Sequence, residues 1–273
     1  MMTRFKKVAG RKLIFVLMAA FFLGLFGMFS VQTVNAQGLL NPDAPFFPGI
    51  SVEVGATDDP ESVVATLQVL FLVSIIALAP SLLVLLTAFT RIIIVLAFTR
   101  QAMATQQMPP NQVLVGIALF LTLFIMAPQF NAINENAIRP LGAGEIDTAM
   151  AIEAAWEPIR DFMLHQLNSD NGARSVTLFV DLSGTVVDSF EELPPSVLIP
   201  SFILNELTMG FLMGFIIYLP FIVVDMVVAS VLMSMGMMML PPAMISMPFK
   251  IMVFILSGGW RVIIENMLLT FRM

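Results

Sequence analysis

From Ser196 to Leu240 the chain is almost unbroken apolar sequence, and its only charged residues are Glu206 and Asp225. A soluble domain carries roughly 25% charged residues and has no way to hide such a run. Here 58% of residues are hydrophobic and 12% charged, with a mean hydropathy of +0.93. The chain therefore reads as an all-α membrane protein, because a helix satisfies its backbone polar groups within one segment. A bilayer core needs about 20 residues of helix, so the run amounts to about two spans, which predicts a hairpin turning at Pro220.

Val63 to Phe98 is a second apolar run, interrupted by Pro80 and Arg91. As one helix it would reach about 54 Å against a hydrocarbon core of about 30 Å, so it must tilt, kink at Pro80 or project from the membrane. Thr99 to Gln112 is a polar connection, and Val113 to Ala127 is a shorter apolar segment ended by Pro128. Residues 63–128 are thus expected to form a first long helical hairpin. Arg91 and Arg100 are the charges near its turn, which places that turn in the cytoplasm.

Gln129 to Pro195 is hydrophilic, with eleven acids against Arg139, Arg160 and Arg174. It is expected on the opposite side, as a small extracytoplasmic helical region over 129–195. Ile146, Met150, Trp156, Ile159, Phe162 and Met163 recur at roughly helical spacing, and Pro158 is predicted to open a second helix. Residues 196–273 form the second hydrophobic hairpin, closing with a segment from Met247 to Phe271 that carries Lys250, Arg261 and Glu265.

The first twelve residues hold Arg4, Lys6, Lys7, Arg11 and Lys12, ahead of apolar Leu13 to Val31 and then Val34-Asn35-Ala36. This pattern predicts a signal peptide over 1–36, cleaved between Ala36 and Gln37, with 37–62 left as an extracytoplasmic tail. An uncleaved anchor also fits the length of the run.

The chain has no cysteine, which excludes disulfides, thiolate chemistry and iron–sulfur ligation, and its single histidine, His165, leaves no histidine-rich metal site. It shows no Gly-rich phosphate loop with lysine and no Ser–His pairing in the apolar segments. An intramembrane aspartyl protease needs two aspartates, and the spans offer Asp225 alone. No catalytic, cofactor or metal site is expected. Arg91, Glu206, Asp225, Lys250 and Arg261 lie within apolar segments, where charges face protein or water. For Glu206, Asp225 and Lys250 the readings are structural pairing, a proton relay or a gate latch.

Val228 to Lys250 holds seven methionines (Met233, Met235, Met237, Met238, Met239, Met244 and Met247) and three prolines. Pro241-Pro242 removes two backbone donors and forces the preceding residues out of helical geometry. Broken backbone at membrane depth survives only when buried in protein or lining a cavity. Methionine is unbranched and polarizable, so a methionine-lined break fits a deformable seal across a pore. A kinked helix with lipid-facing methionines has the same spacing.

Ala88 to Leu114 (AFTRIIIVLAFTRQAMATQQMPPNQVL), Phe120 to Pro128 (FLTLFIMAP) and the Val228 to Lys250 block closely resemble the FliP family, membrane subunits of the flagellar type III protein export gate. The resemblance covers about Leu67 to Asn266. It implies assembly with FliQ, FliR and further copies of the chain into a helical ring, in the flagellar basal body at the bacterial inner membrane. FlhA and FlhB are the expected neighbours and unfolded flagellar proteins the cargo, with no nucleic acid involved. Much of such a ring stands above the bilayer plane, which would accommodate helices too long to span.

The family's methionine gasket around the closed pore maps onto Met237, Met238 and Met239. Its glutamate in the third hydrophobic segment maps onto Glu206, and its lysine after Pro-Phe onto Lys250. Thr208 departs from the lysine that the family often has there. With Asp225 expected near the opposite helix end and Arg91 on the first hairpin, Glu206 and Lys250 are expected to pair between neighbouring subunits. The alternative functions are a small-solute secondary transporter, which needs a midplane site at a repeat interface, and a passive scaffold for assembly of the export apparatus.

Overall fold

The computed structural model describes residues 73, 74, 77, 78, 81, 82, 84–105, 108–184, 187, 189–237 and 240–271. The expected signal peptide with Ala36 and Gln37, the tail 37–62 and Pro80 lie outside the described residues, as do Met238 and Met239. The chain divides into two compact units, Met1–Pro80 and Ser81–Met273. In the first, the described positions 73, 74, 77 and 78 are helical.

In the second unit every regular element among the described residues is helical. Helix α1 spans Phe89–Ala102. A bend over residues 86–88 precedes it, so the apolar run ending at Phe98 is not one helix. Threonines supply the local hydrogen bonds there. The Thr87 hydroxyl accepts from the Phe89 N–H at 3.5 Å, and the Thr90 hydroxyl donates to the Val84 carbonyl at 3.2 Å. Ala88, Ile92, Val95, Thr99 and Ala102 are buried at spacings of three and four, the stripe an inward-facing helix requires. Arg91 lies on the same stripe.

Helix α2, Asn111–Ile125, packs against α1. The turn between them is tied by Arg100, which donates to the Pro109 carbonyl and to Asn111 Oδ1, and by the Thr105 hydroxyl, which donates to the Met108 carbonyl at 2.6 Å. Pro128 does not end the helical path. The chain bends by 58° at Met126, and α3, Ala127–Ile133, takes Pro128 into its first turn, where the missing N–H would have had no partner. A π-helical turn, Asn134–Ile138, leads into α4, Arg139–Ala143.

Helix α5, Thr148–Leu167, starts at Asp147, whose carboxylate accepts from the Met150 N–H at 2.8 Å. Helix α6, Asp170–Ser183, starts at Ser169, whose hydroxyl accepts from the Gly172 N–H. Pro158 was expected to open a separate helix and instead lies inside α5.

Helix α7, Pro195–Ser234, is a single helix of 40 residues with Pro200 and Pro220 inside it. The hairpin turn expected at Pro220 is therefore absent. Both misplaced breaks have the same cause. An interior proline removes one backbone hydrogen bond and kinks the helix, but reversing the chain takes turn-forming neighbours. Pro158 sits in Trp-Glu-Pro-Ile and Pro220 in Tyr-Leu-Pro-Phe, with no Gly, Asn or Asp alongside.

Helices α8, Pro242–Leu256, and α9, Gly259–Leu269, complete the unit, bent by 62° relative to each other. Among the described residues α7 alone is long and apolar enough to cross a membrane, and three spans are possible if each bent pair counts as one. At 1.5 Å per residue α7 is about 60 Å long.

Helix α7 is the spine, packed against α1, α5, α6 and α8. Gly210 and Gly214, one turn apart, let α1 approach it closely. A Cβ on Gly214 would lie 2.5 Å from the Phe98 ring, and one on Gly210 would lie 3.2 Å from Ile94. Small residues at this spacing allow helix backbones near contact. Phe162 of α5 sets its ring edge-on to Phe202 of α7, centroids 5.9 Å apart, and stacks on Phe271 beyond α9.

Candidate functional site

The methionine-rich break is a local structure with an identifiable cap. After Ser234 the chain reads Met235-Gly236-Met237, and Gly236 adopts φ +76°. The Met237 N–H donates back to the Leu232 carbonyl at 3.0 Å, and the Gly236 N–H donates to the Met233 carbonyl at 3.1 Å. These are the two bonds of a Schellman cap, whose left-handed residue is normally glycine. The cap satisfies the last carbonyls of α7 and turns the chain. Pro241 then caps α8 and Pro242 takes its first helical position, where a proline is tolerated. The proline pair thus starts a helix rather than breaking one. Met233, Met235, Met237 and Met244 are all exposed around this hairpin.

A charge pair holds the two arms of the hairpin together. Lys250 of α8 is buried, and its Nζ lies 2.6 Å from Asp225 Oδ2 on α7, while the Ser246 hydroxyl donates to the other carboxylate oxygen. An ammonium removed from water needs such a partner, since stranding a buried charge costs about 3–5 kcal/mol. Beside this clamp an open apolar groove runs between the arms, lined by Val223, Val227, Val231, Ile245 and Phe249 among others. The arrangement offers uncharged, deformable thioethers at the tip and a fixed electrostatic tie below them.

The second pair lies near the other end of α7. Arg91 Nε donates to Glu206 Oε2 at 2.9 Å, and its Nη2 donates to Glu206 Oε1 and to Gln166 Oε1. Its Nη1 donates to the Thr270 hydroxyl at 3.2 Å, and the guanidinium carbon stands 4.1 Å over the Phe271 ring. Arg91 and Glu206 are both buried. Asn205 donates from Nδ2 to the Gln166 carbonyl at 3.1 Å. One guanidinium therefore joins α1, α5, α7 and the chain after α9.

These contacts correct the expected pairing. Glu206 meets Arg91 and Lys250 meets Asp225 within one chain, so the argument that joined Glu206 to Lys250 for want of other partners fails. Asp225 lies beside Lys250 because α8 folds back along the last turns of α7. Gln166, Asn205, Ser246 and Thr270 had not been singled out. Ser201, Asn205 and Glu206 share the buried stripe of α7, and that clustering of polar residues in apolar sequence is the signal that could have found the network. Arg261 is exposed and lies 3.8 Å from Glu265. Among the described residues no group of three or more His, Asp or Glu side chains is placed to hold a metal ion.

Fold and site together define a helical protein with a spine long and apolar enough to cross a bilayer and a thioether-rich hairpin at its end. The FliP family model matches residues 72–267. Similar curated proteins are the flagellar biosynthetic protein FliP of Bacillus subtilis, 46% identical over 81% of this chain and 98% of that protein, and its namesake in Treponema pallidum, 43% identical over 93% and 96%. The namesake in Borreliella burgdorferi is 42% identical over 92% of this chain and 97% of that protein. The chain belongs to the FliP family.

Proposed function

We propose that this chain is a pore-forming subunit of a flagellar type III protein export gate in the bacterial cell membrane. It assembles with FliQ- and FliR-type subunits and with further copies of itself, beside FlhA- and FlhB-type components of the basal body. Unfolded flagellar proteins pass through the ring. The flagellar biosynthetic names of its relatives support the setting.

The observation that carries the reading is the hairpin of residues 233–244. A protein-conducting pore must block ions at rest yet yield to side chains of any shape. Thioethers suit this, because they pack without charge and rearrange at low cost. Gly236 and the proline pair fix where the hairpin turns, and the Asp225–Lys250 pair fixes its arms. The tip can deform while its base stays registered.

Detergent extraction of the full chain co-expressed with its FliQ- and FliR-type partners tests the assembly. The expected product is one large ring-sized particle containing all three proteins. A monomer or dimer that binds a small solute would instead support a secondary transporter.

A further inference from the structure

We propose that the methionine hairpin is also an oxidation site, at which oxygen transfer to exposed thioethers weakens the seal and enzymatic reduction restores it. The modification rests on exposure of the hairpin in the single chain, and its consequence rests on the gate reading above.

The chain has 22 methionines and no cysteine, so thioethers are its only sulfur nucleophiles. Their environments differ sharply. Met233, Met235, Met237 and Met244 are 65%, 65%, 44% and 67% exposed, whereas Met126, Met163 and Met267 are fully buried. Oxidation of methionine follows access, since the oxidant must reach a sulfur lone pair. In the reaction that lone pair attacks one oxygen of hydrogen peroxide and the O–O bond breaks. A proton shift lets the second oxygen leave as water. Sulfur loses two electrons to become the sulfoxide, and the peroxide gains them.

Met108, Met150, Met226 and Met252 are exposed as well but lie outside the hairpin, Met226 seven residues before Met233 on α7 and Met252 eight residues after Met244 on α8. The hairpin gathers four within twelve residues, on a turn whose proposed work depends on being apolar. A sulfoxide is strongly polar and accepts hydrogen bonds, so an oxidised hairpin draws water into a seal that unmodified methionines keep dry. Methionine sulfoxide reductases reverse the change, one enzyme for each sulfoxide epimer.

The test uses the full chain co-expressed with its FliQ- and FliR-type partners in membrane vesicles, with hydrogen peroxide as the oxidant. Peptide mass mapping should show oxygen added at the four hairpin methionines roughly ten-fold faster than at Met126, Met163 and Met267. Ion leak should rise in step with hairpin oxidation, fall again after treatment with both reductases, and not respond to peroxide in a variant with Met233, Met235, Met237, Met238, Met239 and Met244 all replaced by leucine. Equal oxidation of hairpin and buried methionines would overturn the site. Selective oxidation with no change in leak would overturn the switch. A variant with Met237, Met238 and Met239 all replaced by alanine separates these failures: if it leaks, the gate stands and the switch alone is wrong, and if it does not, the gate falls too.

Discussion

Arg91 and Glu206 lie 115 residues apart in sequence and form a buried ion pair with two guanidinium-to-carboxylate hydrogen bonds. Thr270, Gln166 and the Phe271 ring complete the guanidinium's surroundings. Removing either partner leaves a buried charge uncompensated, at about 3–5 kcal/mol, whereas apolar replacement of both is often near neutral. Arg91→Met and Glu206→Met should each sharply lower the amount of folded protein recovered in detergent, and the double variant should recover much of it. A charge exchange between Glu206 and Lys250 should restore nothing. If that exchange rescues the Glu206 defect while the Arg91 double variant does not, the pairing described here is wrong.

The Asp225–Lys250 tie should matter for the hairpin more than for the fold, since Asp225 is partly open to solvent. Asp225→Asn keeps the shape and the hydrogen bond from Ser246 but leaves the Lys250 ammonium without its counter-charge. Assembled complexes carrying it should leak more ions at rest than wild type. Ser246→Ala, which removes one hydrogen bond to the same carboxylate, should shift leak in the same direction by less. Equal permeability in all three would show that the tie does not govern the hairpin.

Close approach of α1 to α7 gives a steric prediction. In Gly214→Val the new side chain has no room against the Phe98 ring, and overpacking of this kind costs about 1–3 kcal/mol. Adding Phe98→Ala vacates the space, so the double variant should melt above the Gly214 single variant in a detergent unfolding assay. A double variant that melts lower than both singles would place the contact elsewhere.

Gly236 is the one described residue of the methionine turn with a left-handed backbone. A Cβ there would meet no neighbouring atom, so Gly236→Ala isolates the backbone effect, about 1–2 kcal/mol for a left-handed alanine. The hairpin should loosen while the spine is kept, seen as faster amide exchange over residues 232–237 with unchanged exchange at 198–206.

How much of this was legible in the sequence depended on whether the cause was local. Gly236 between methionines and Pro241-Pro242 marks the break because cap and proline chemistry act within a few residues. Pro158 and Pro220 do not mark helix ends because each lacks turn-forming neighbours, and a long helix tolerates the backbone bond that an interior proline removes. The charge pairs were out of reach for another reason. Which carboxylate meets Arg91 depends on how α7, a helix of about 60 Å, brings distant segments together, and no spacing in the chain encodes that. The buried polar stripe Ser201, Asn205, Glu206 did announce that partners existed, since buried polar groups are nearly always hydrogen-bonded.

The most direct test of the seal is ion conductance through complexes assembled with the FliQ- and FliR-type partners, comparing wild type with a variant in which Met237, Met238 and Met239 are all alanine. Alanine removes the bulky adaptable side chains without adding charge. Resting conductance should rise several-fold while the complex keeps its size and subunit ratio. Unchanged conductance in fully assembled mutant complexes would contradict the gate.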